Sequence, residues 1–247
     1  MTIAALYDIH GNLPALEAVL EDVRRASVGE IIVGGDVLPG PMPTETLDLL
    51  LSIDTPIRFL KGNGDRETLA QRAGVESSVI PPAFRETMRW VAGQLSEAHA
   101  RAVGAWPATQ SADIEALGSV LFCHATPRND TEIFTRLTPE DRLGPVFANV
   151  AADVVICGHT HMQFDRRIGG LRVVNAGSVG MPFGEPGAYW LLLGPSIELR
   201  CTAYDLERAA ARIRATAYPG AKEFAEGNVL APPGEAQMLD VFTKASV

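Results

Sequence analysis

Cysteine is scarce in this sequence, with three among 247 residues: Cys123, Cys157 and Cys201. Each lies within or at the end of an apolar run, so buried free thiols in a reducing compartment are expected, not a disulfide framework. Positive charge is also in deficit, 21 Lys and Arg against 30 Asp and Glu, a net charge of −9. That balance excludes a general nucleic-acid binder, because phosphate backbones are held by clustered Lys and Arg. A small anionic substrate stays admissible wherever bound metal ions make the local field positive. Aromatic residues are few, 6% of the chain, and Trp90 and Trp106 read as packing, not as base-stacking platforms. No segment reaches the ~20 apolar residues needed to span a bilayer. The stretch Met1 to Asp8 lacks the basic start and long apolar run of a signal peptide, so a cytoplasmic location is expected. Internal repeats, low-complexity tracts and clear linkers are missing too.

What is present is a large apolar fraction, 47%, enough to bury a substantial core. Apolar runs at 2–7, 30–33 and 57–60 read as strands. Between them lie helical patterns: Leu13, Leu16, Leu20 and Val23 mark one face behind an Asn12 cap, and 44–51 forms a second helix. Strand, helix, strand, helix, strand implies a parallel or mixed sheet with right-handed crossovers. Residues 83–105 read as helical, with Phe84, Met88, Val91 and Leu95 on one face. They are expected to be an insertion acting as a lid. Strands follow at 114–116, 119–123, 154–157, 163–168, 171–175, 188–193 and 197–202, with a hairpin turn at Gly169-Gly170. One helix, 205–215, precedes a Pro- and Gly-containing tail. A single α/β domain over 1–247 is expected.

The polar residues of interest fall at strand ends, where open α/β sheets place their ligands. Asp8-Ile9-His10 sets a carboxylate and an imidazole two residues apart, and Gly158-His159-Thr160-His161 does the same with two imidazoles. In extended backbone such pairs point the same way and can reach one ion. Asp36 and Asn63 end strands beside glycines, and His124 ends the 119–123 strand. These seven side chains mix nitrogen and oxygen donors, a set suited to Mn, Fe, Zn, Ni or Co better than to Ca or Mg alone. They are too many for one ordinary site and about right for two divalent ions sharing a carboxylate, ~3.5–4 Å apart.

In order and spacing, the motifs D-x-H-G-N, G-G-D, G-N-G-D, H-A-T-P, G-H-T-H and N-A-G-S-V-G resemble the calcineurin-like metallophosphoesterase superfamily, specifically its small bacterial and archaeal members. They run from Asp8 to Gly180, about 70% of the chain. The resemblance implies a four-layer α-β-β-α sandwich of two mixed sheets. It also implies one ion on Asp8, His10, Asp36 and His161 and another on Asp36, Asn63, His124 and His159, with Asp36 bridging. Asp36, Asn63 and His124 would then serve catalysis, a metal-bound hydroxide attacking phosphorus in line. In one respect the sequence departs from the resemblance. Many of these phosphatases carry a His as general acid where this chain has Gly64, so aryl or pyrophosphate-like leaving groups, or an acid from elsewhere, are expected.

A lone histidine is usually structural; four of five histidines at matching motif positions reverse that expectation. His99 reads as solvated. Asp65 reads as the cap of a helix starting at Arg66, ahead of a catalytic role. Arg128, four residues after His124, is a candidate for gripping a phosphate oxygen, with Asn63 as a second substrate contact; a solvated arginine is nearly as good a reading. Gly177-Ser178 reads as a tight turn supporting the site. The expected activity is hydrolysis of a small phosphodiester or other activated phosphate ester. A dinucleoside-polyphosphate hydrolase, a protein phosphatase and a metal-binding scaffold like the retromer subunit of this fold are the rivals.

Overall fold

The structure is a computed structural model that describes residues 2–76 and 80–247. The strand β1 (Ile3–Leu6) is apolar and buried at every position, as a central strand covered on both faces must be. It runs parallel to β2 (Glu30–Val33), which runs parallel to β3 (Ile57–Phe59). On its other side it pairs antiparallel with β9 (Ala188–Leu193), and β10 (Ile197–Thr202) closes that edge. Helices α1 (Leu13–Arg25) and α2 (Pro43–Leu51) form the crossovers. Asn12 caps α1, its side chain accepting from Ala15 N, with Pro14 in the first turn.

The second sheet has the order β4-β5-β6-β8-β7: Thr109–Ile114, Gly118–Cys123, Val154–Cys157, Leu171–Asn175 and Phe164–Ile168. Its three central strands are parallel and its edge strands antiparallel. The Gly169-Gly170 turn sets Ile168 opposite Leu171, with Gly169 at φ +58°. Alternation along β1 sorts the layers. Ile3, Ala5 and Tyr7 enter the core between the sheets with Phe122, Ile156 and Val174, while Ala4 and Leu6 face Leu16 and Leu20 of α1. On the outer face of the second sheet, Leu143, Val146 and Phe147 of α6 (Glu140–Phe147) pack on Val155 and Val173. Helix, sheet, sheet, helix is the four-layer sandwich expected.

Several expectations need correction. The helix read over 83–105 is a 3-10 turn (Pro82–Phe84) followed by α4 (Arg85–Gln94) and α5 (Glu97–Gly104). Leu95 is extended, and Ser96 begins the new helix through a capping box with His99. His99 also meets Asp48 Oδ1 at 3.0 Å, so it is not merely solvated. The strand read at 114–116 lies at 109–114, because residues 115–117 make the turn into β5. The tail is not featureless. After α7 (Leu206–Arg214) come α8 (Ala221–Phe224), a π-helical turn (Ala225–Leu230) and α9 (Glu235–Ala245). Phe224, Ala225 and Val229 are ordered by packing on Ala209, Ala210 and Ile213 of α7. Cys123 and Cys157 are buried as expected, but Cys201 is exposed, since β10 is an edge strand with an outer face. Among the described residues no helix is long and apolar enough to cross a membrane.

Candidate metal centre

All seven expected donors emerge beyond the carboxyl ends of parallel strands. Asp8 and His10 follow β1, Asp36 follows β2, and Asn63 follows β3 as the first residue of α3 (Asn63–Arg72). His124 follows β5, and His159 and His161 follow β6. The two sheets therefore present their ligand ends to one place.

The backbone there is not extended, contrary to the expectation drawn from two-residue spacing. Asp8, His10, Asp36, His159 and His161 all adopt left-handed φ, between 49° and 67°. Asp and His tolerate that region better than most residues, yet each instance costs on the order of 1–3 kcal/mol. Tertiary hydrogen bonds hold it. Asp8 N and His10 N donate to Gly35 O and Asp36 O, and His159 N donates to Asp8 Oδ2 at 2.8 Å. Ser178 supports the site as expected, its Oγ donating to Asp8 O at 2.7 Å.

The imidazoles are oriented by their outer nitrogens. Nδ1 of His10, His124 and His161 faces the carbonyls of Pro39, Gly34 and Met181 at 3.0, 2.9 and 2.7 Å. Each carbonyl can only accept, so each Nδ1 carries a proton and each ring turns its Nε2 inward, the nitrogen that a cation would take. Those nitrogens converge on Asp8 Oδ1, at 3.4 Å from His161 and 3.9 Å from His10 and His124. Nε2 of His10 and His161 stand 3.2 Å apart. Asp8 Oδ1 is buried without a hydrogen-bond partner. An arrangement of acceptors around acceptors is relieved only by a cation or a proton, so these residues fit divalent metal ions.

Two donor groups meet the distance requirement of one ion each: Asp8, His10 and His161, and Asp8, Asp36 and His124. Asp36 straddles them, with Oδ2 3.8 Å from His10 Nε2 and Oδ1 3.7 Å from His124 Nε2. One terminal atom of the Asn63 amide lies 3.0 Å from His124 Nε2 and 3.1 Å from His159 Nδ1. As the oxygen, that atom can join an ion held by the two rings. The local charge agrees with this reading. Burial works to raise the Asp8 pKa, but His161, His124 and His10 hold it well below the usual carboxylate range. Burial disfavours charge on His124, yet Asp36 and Asp8 raise its pKa. Burial, with His124 nearby, lowers His159 to about 4 and keeps it a neutral donor.

Other expectations fare differently. Asp65 is not an N-cap: α3 starts at Asn63 with Gly62 as its cap. The Asp65 carboxylate accepts from Val37 N, Leu38 N and Gly62 N at 3.0, 3.1 and 3.2 Å, tying the Asp36 loop to the Asn63 loop. Burial and the Asp36 charge push its pKa up to about 7. Asp65→Ala is expected to strand these three buried donors and cost about 3 kcal/mol or more, read as a lower urea midpoint at unchanged slope. A loss under about 0.5 kcal/mol would show that the loops hold without it. Arg128 is engaged by Glu132, its Nε 2.8 Å from Oε1. It borders a groove of about 350 Å³ that His124 also lines. Two features escaped the sequence reading. His161 stacks on Phe183, ring centroids 5.1 Å apart, and Phe183 meets Phe242 of α9. A cleft of about 630 Å³ opens from His10, Asp36 and Asn63 between α4 and residues 218–228.

A family model described as the calcineurin-like phosphoesterase superfamily domain matches residues 1–193. The chain belongs to the calcineurin-like phosphoesterase superfamily. An uncharacterized protein of Methanocaldococcus jannaschii is 27% identical, over 85% of this chain and 91% of its own. Among solved structures, a metallophosphoesterase from Sphaerobacter thermophilus superposes with a TM-score of 0.73 at 23% identity, covering 93% of this chain and 99% of that one. A hypothetical protein from Pyrococcus horikoshii OT3 superposes at 0.78 with 18% identity, covering 94% and 99%. At such identities these structures speak for the fold alone. As a calcineurin-like phosphoesterase the chain is a member of a metal-dependent hydrolase family, and the donor cluster sits inside the matched region.

Proposed function

We propose that this phosphoesterase holds two divalent transition-metal ions and hydrolyses small phosphodiesters. The observation that carries the reading is the convergence of three inward imidazole Nε2 atoms on a buried, partnerless carboxylate oxygen, in two donor groups that share Asp8, with Asp36 in one of them and its other oxygen 3.8 Å from His10 of the other. Ligand assignment follows the sequence reading: Asp8, His10, Asp36 and His161 for one ion, and Asp36, Asn63, His124 and His159 for the other. When bound, the ions supply Lewis acidity at phosphorus and make water a competent nucleophile near neutral pH. Asp36 and Asn63, at the inner end of the cleft, position the phosphate, and His124 orders the second donor group from the neighbouring groove.

A diester is favoured over a monoester by charge. Two divalent ions, two carboxylates and a hydroxide leave one net positive charge, the complement of a monoanion. Among the described residues no Lys or Arg lines the cleft to neutralise a second one. A protein phosphatase or a dinucleoside-polyphosphate hydrolase meets a more anionic substrate than this cleft suits. The scaffold reading is disfavoured because the chain carries all seven donor residues, five of which meet in the two donor groups. The free, buried thiols Cys123 and Cys157 support a reducing, cytoplasmic setting, and the partner we propose is a small phosphate ester.

The test is reconstitution with Mn, Fe, Zn, Ni or Co, elemental analysis, and a comparison of aryl diester with aryl monoester. About two ions per chain are expected, with kcat/KM higher on the diester. Metal at ~100 Kd stabilises a site by about 2.7 kcal/mol, so the metal-free chain should melt roughly 5–10 °C lower per site. At most one ion under every metal would overturn the binuclear reading. A faster monoester would overturn the diester preference.

A further inference from the structure

The cleft beside the metal centre is built from parts outside the motifs. One wall is α4 and the turn before it, carrying Phe84, Met88 and Val91. The facing wall carries Tyr218 and Phe224 from the C-terminal segment, beyond the region matched to the family. Tyr218 is itself held by Trp90 of α4, ring edge to ring face with centroids 5.5 Å apart, so the two walls are packed against one another. Phe84 is 61% exposed at the mouth, a large apolar side chain that the core does not use. Apart from the metal donors, the only charged side chains on the cleft among the described residues are Glu86 and Glu223.

The basic residues near the centre lie elsewhere. Lys61, Arg66 and Arg128 border the separate groove beside His124. There Arg66 is paired with Asp130 and Arg128 with Glu132, while Lys61 Nζ donates to Gly104 O. The metal centre thus has an apolar opening with acidic side chains and a smaller opening with cations already engaged. A volume of about 630 Å³ accommodates a substituent of several ring or chain atoms. Apolar walls select such a group by removing its surface from water, and carboxylates facing it disfavour a second negative charge.

We propose that this cleft is the specificity subsite, taking the apolar, uncharged aryl or alkyl substituent of a phosphodiester, with Glu86 and Glu223 excluding substituents that carry further negative charge. The proposal rests on the phosphodiesterase reading above and extends it from the reaction to the substrate class. It also gives the C-terminal segment a role in choosing substrate.

The test uses the Mn-loaded full chain and three esters that share one p-nitrophenyl leaving group and differ in the second substituent: methyl, phenyl and 2-carboxyethyl. A KM roughly 10–100-fold lower for phenyl than for methyl is expected, with the carboxyethyl ester poorest in kcat/KM. Phe84→Ala should shrink the phenyl-to-methyl ratio several-fold. Glu223→Arg, an exposed change, should raise the carboxyethyl-to-methyl ratio at least tenfold. Calorimetric titration with diphenyl phosphate and dimethyl phosphate reads the subsite without turnover, and at least tenfold tighter binding of diphenyl phosphate is expected. Equal KM values for methyl and phenyl, or a preference for the carboxylate, would overturn the proposal. If none of the three esters is hydrolysed, the phosphodiesterase reading fails. The diphenyl phosphate titration then decides the subsite alone, tighter binding upholding it and equal binding overturning it.

Discussion

Asp36→Asn is expected to leave about one metal ion per chain in place of two and to lower turnover by roughly 10²–10⁴-fold, the rate equivalent of several kcal/mol of lost charge stabilisation. The geometry also says which ion goes. Asp36 Oδ1 accepts from Gly64 N at 2.7 Å and faces His124, while Oδ2 faces His10. An asparagine keeps the Gly64 bond only with its oxygen in the Oδ1 place, which turns the NH₂ group toward His10. A donor there opposes a cation held by His10 and His161, whereas the His124 side keeps an oxygen. Elemental analysis of the variant, with circular dichroism to establish folding, checks the count. Binding one metal with an absorption spectrum, such as Co, identifies the surviving site. Two ions with normal turnover would show that Asp36 is not shared.

The reason Asp36 was recognisable from sequence is local. The strand ends Asp8, Asp36, Asn63, His124 and His159 each combine a short apolar run with an abrupt polar or glycine-rich stop, and both signals lie within a few residues. The same holds for the Asn12 cap and the Gly169-Gly170 hairpin. What failed depended on partners distant in the chain. The left-handed backbone at Asp8 and His10 exists because Gly35 O and Asp36 O, a strand away, receive their N–H groups. Spacing alone made the two residues look extended. Two of the three donors that Asp65 satisfies, the N–H groups of Val37 and Leu38, lie 28 and 27 positions earlier, where no local signal reaches.

Other misses left a signal. Arg128 has a glutamate four residues later, at Glu132, and the turn between them brings its carboxylate to the guanidinium. Ser96 follows an apolar stripe and precedes a helical one, the mark of a cap inside an apparently continuous helix. The C-terminal segment is harder. Its Pro and Gly residues suggest a tail, and its order comes from Phe224 and Val229 burying against α7. Nothing local announces that Tyr218 and Phe224 line the cleft, or that Phe242 backs Phe183 behind His161.

A steep dependence of rate on leaving-group pKa is the second large effect expected, and Gly64 is its source. General-acid assistance contributes typically ~10²–10⁴-fold, and a glycine offers none, so alkyl esters should lag aryl esters by that order beyond their intrinsic reactivity. A glycine could be there for backbone freedom, but Gly64 is not among the positive-φ glycines. It is there for space: an added Cβ would lie 2.5 Å from Pro39 Cγ and 3.0 Å from Asp36 Oδ1. Gly64→His alone is therefore expected to disturb Pro39, whose carbonyl accepts from His10 Nδ1, and to reduce metal content. Pro39→Ala removes Cγ and keeps that carbonyl. In the double variant Asp36 needs to give by only a few tenths of an ångström. With metal content matched to the parent, Pro39→Ala/Gly64→His should accelerate alkyl esters by roughly 10–100-fold and leave aryl esters nearly unchanged. The measurement is a leaving-group series on both proteins. A flat dependence in the parent would mean that a proton donor already serves the leaving oxygen. Asp65 is not the first suspect, since its carboxyl is buried against three backbone N–H groups and does not line the cleft. Glu86 and Glu223, which face the cleft, would be the groups to replace next.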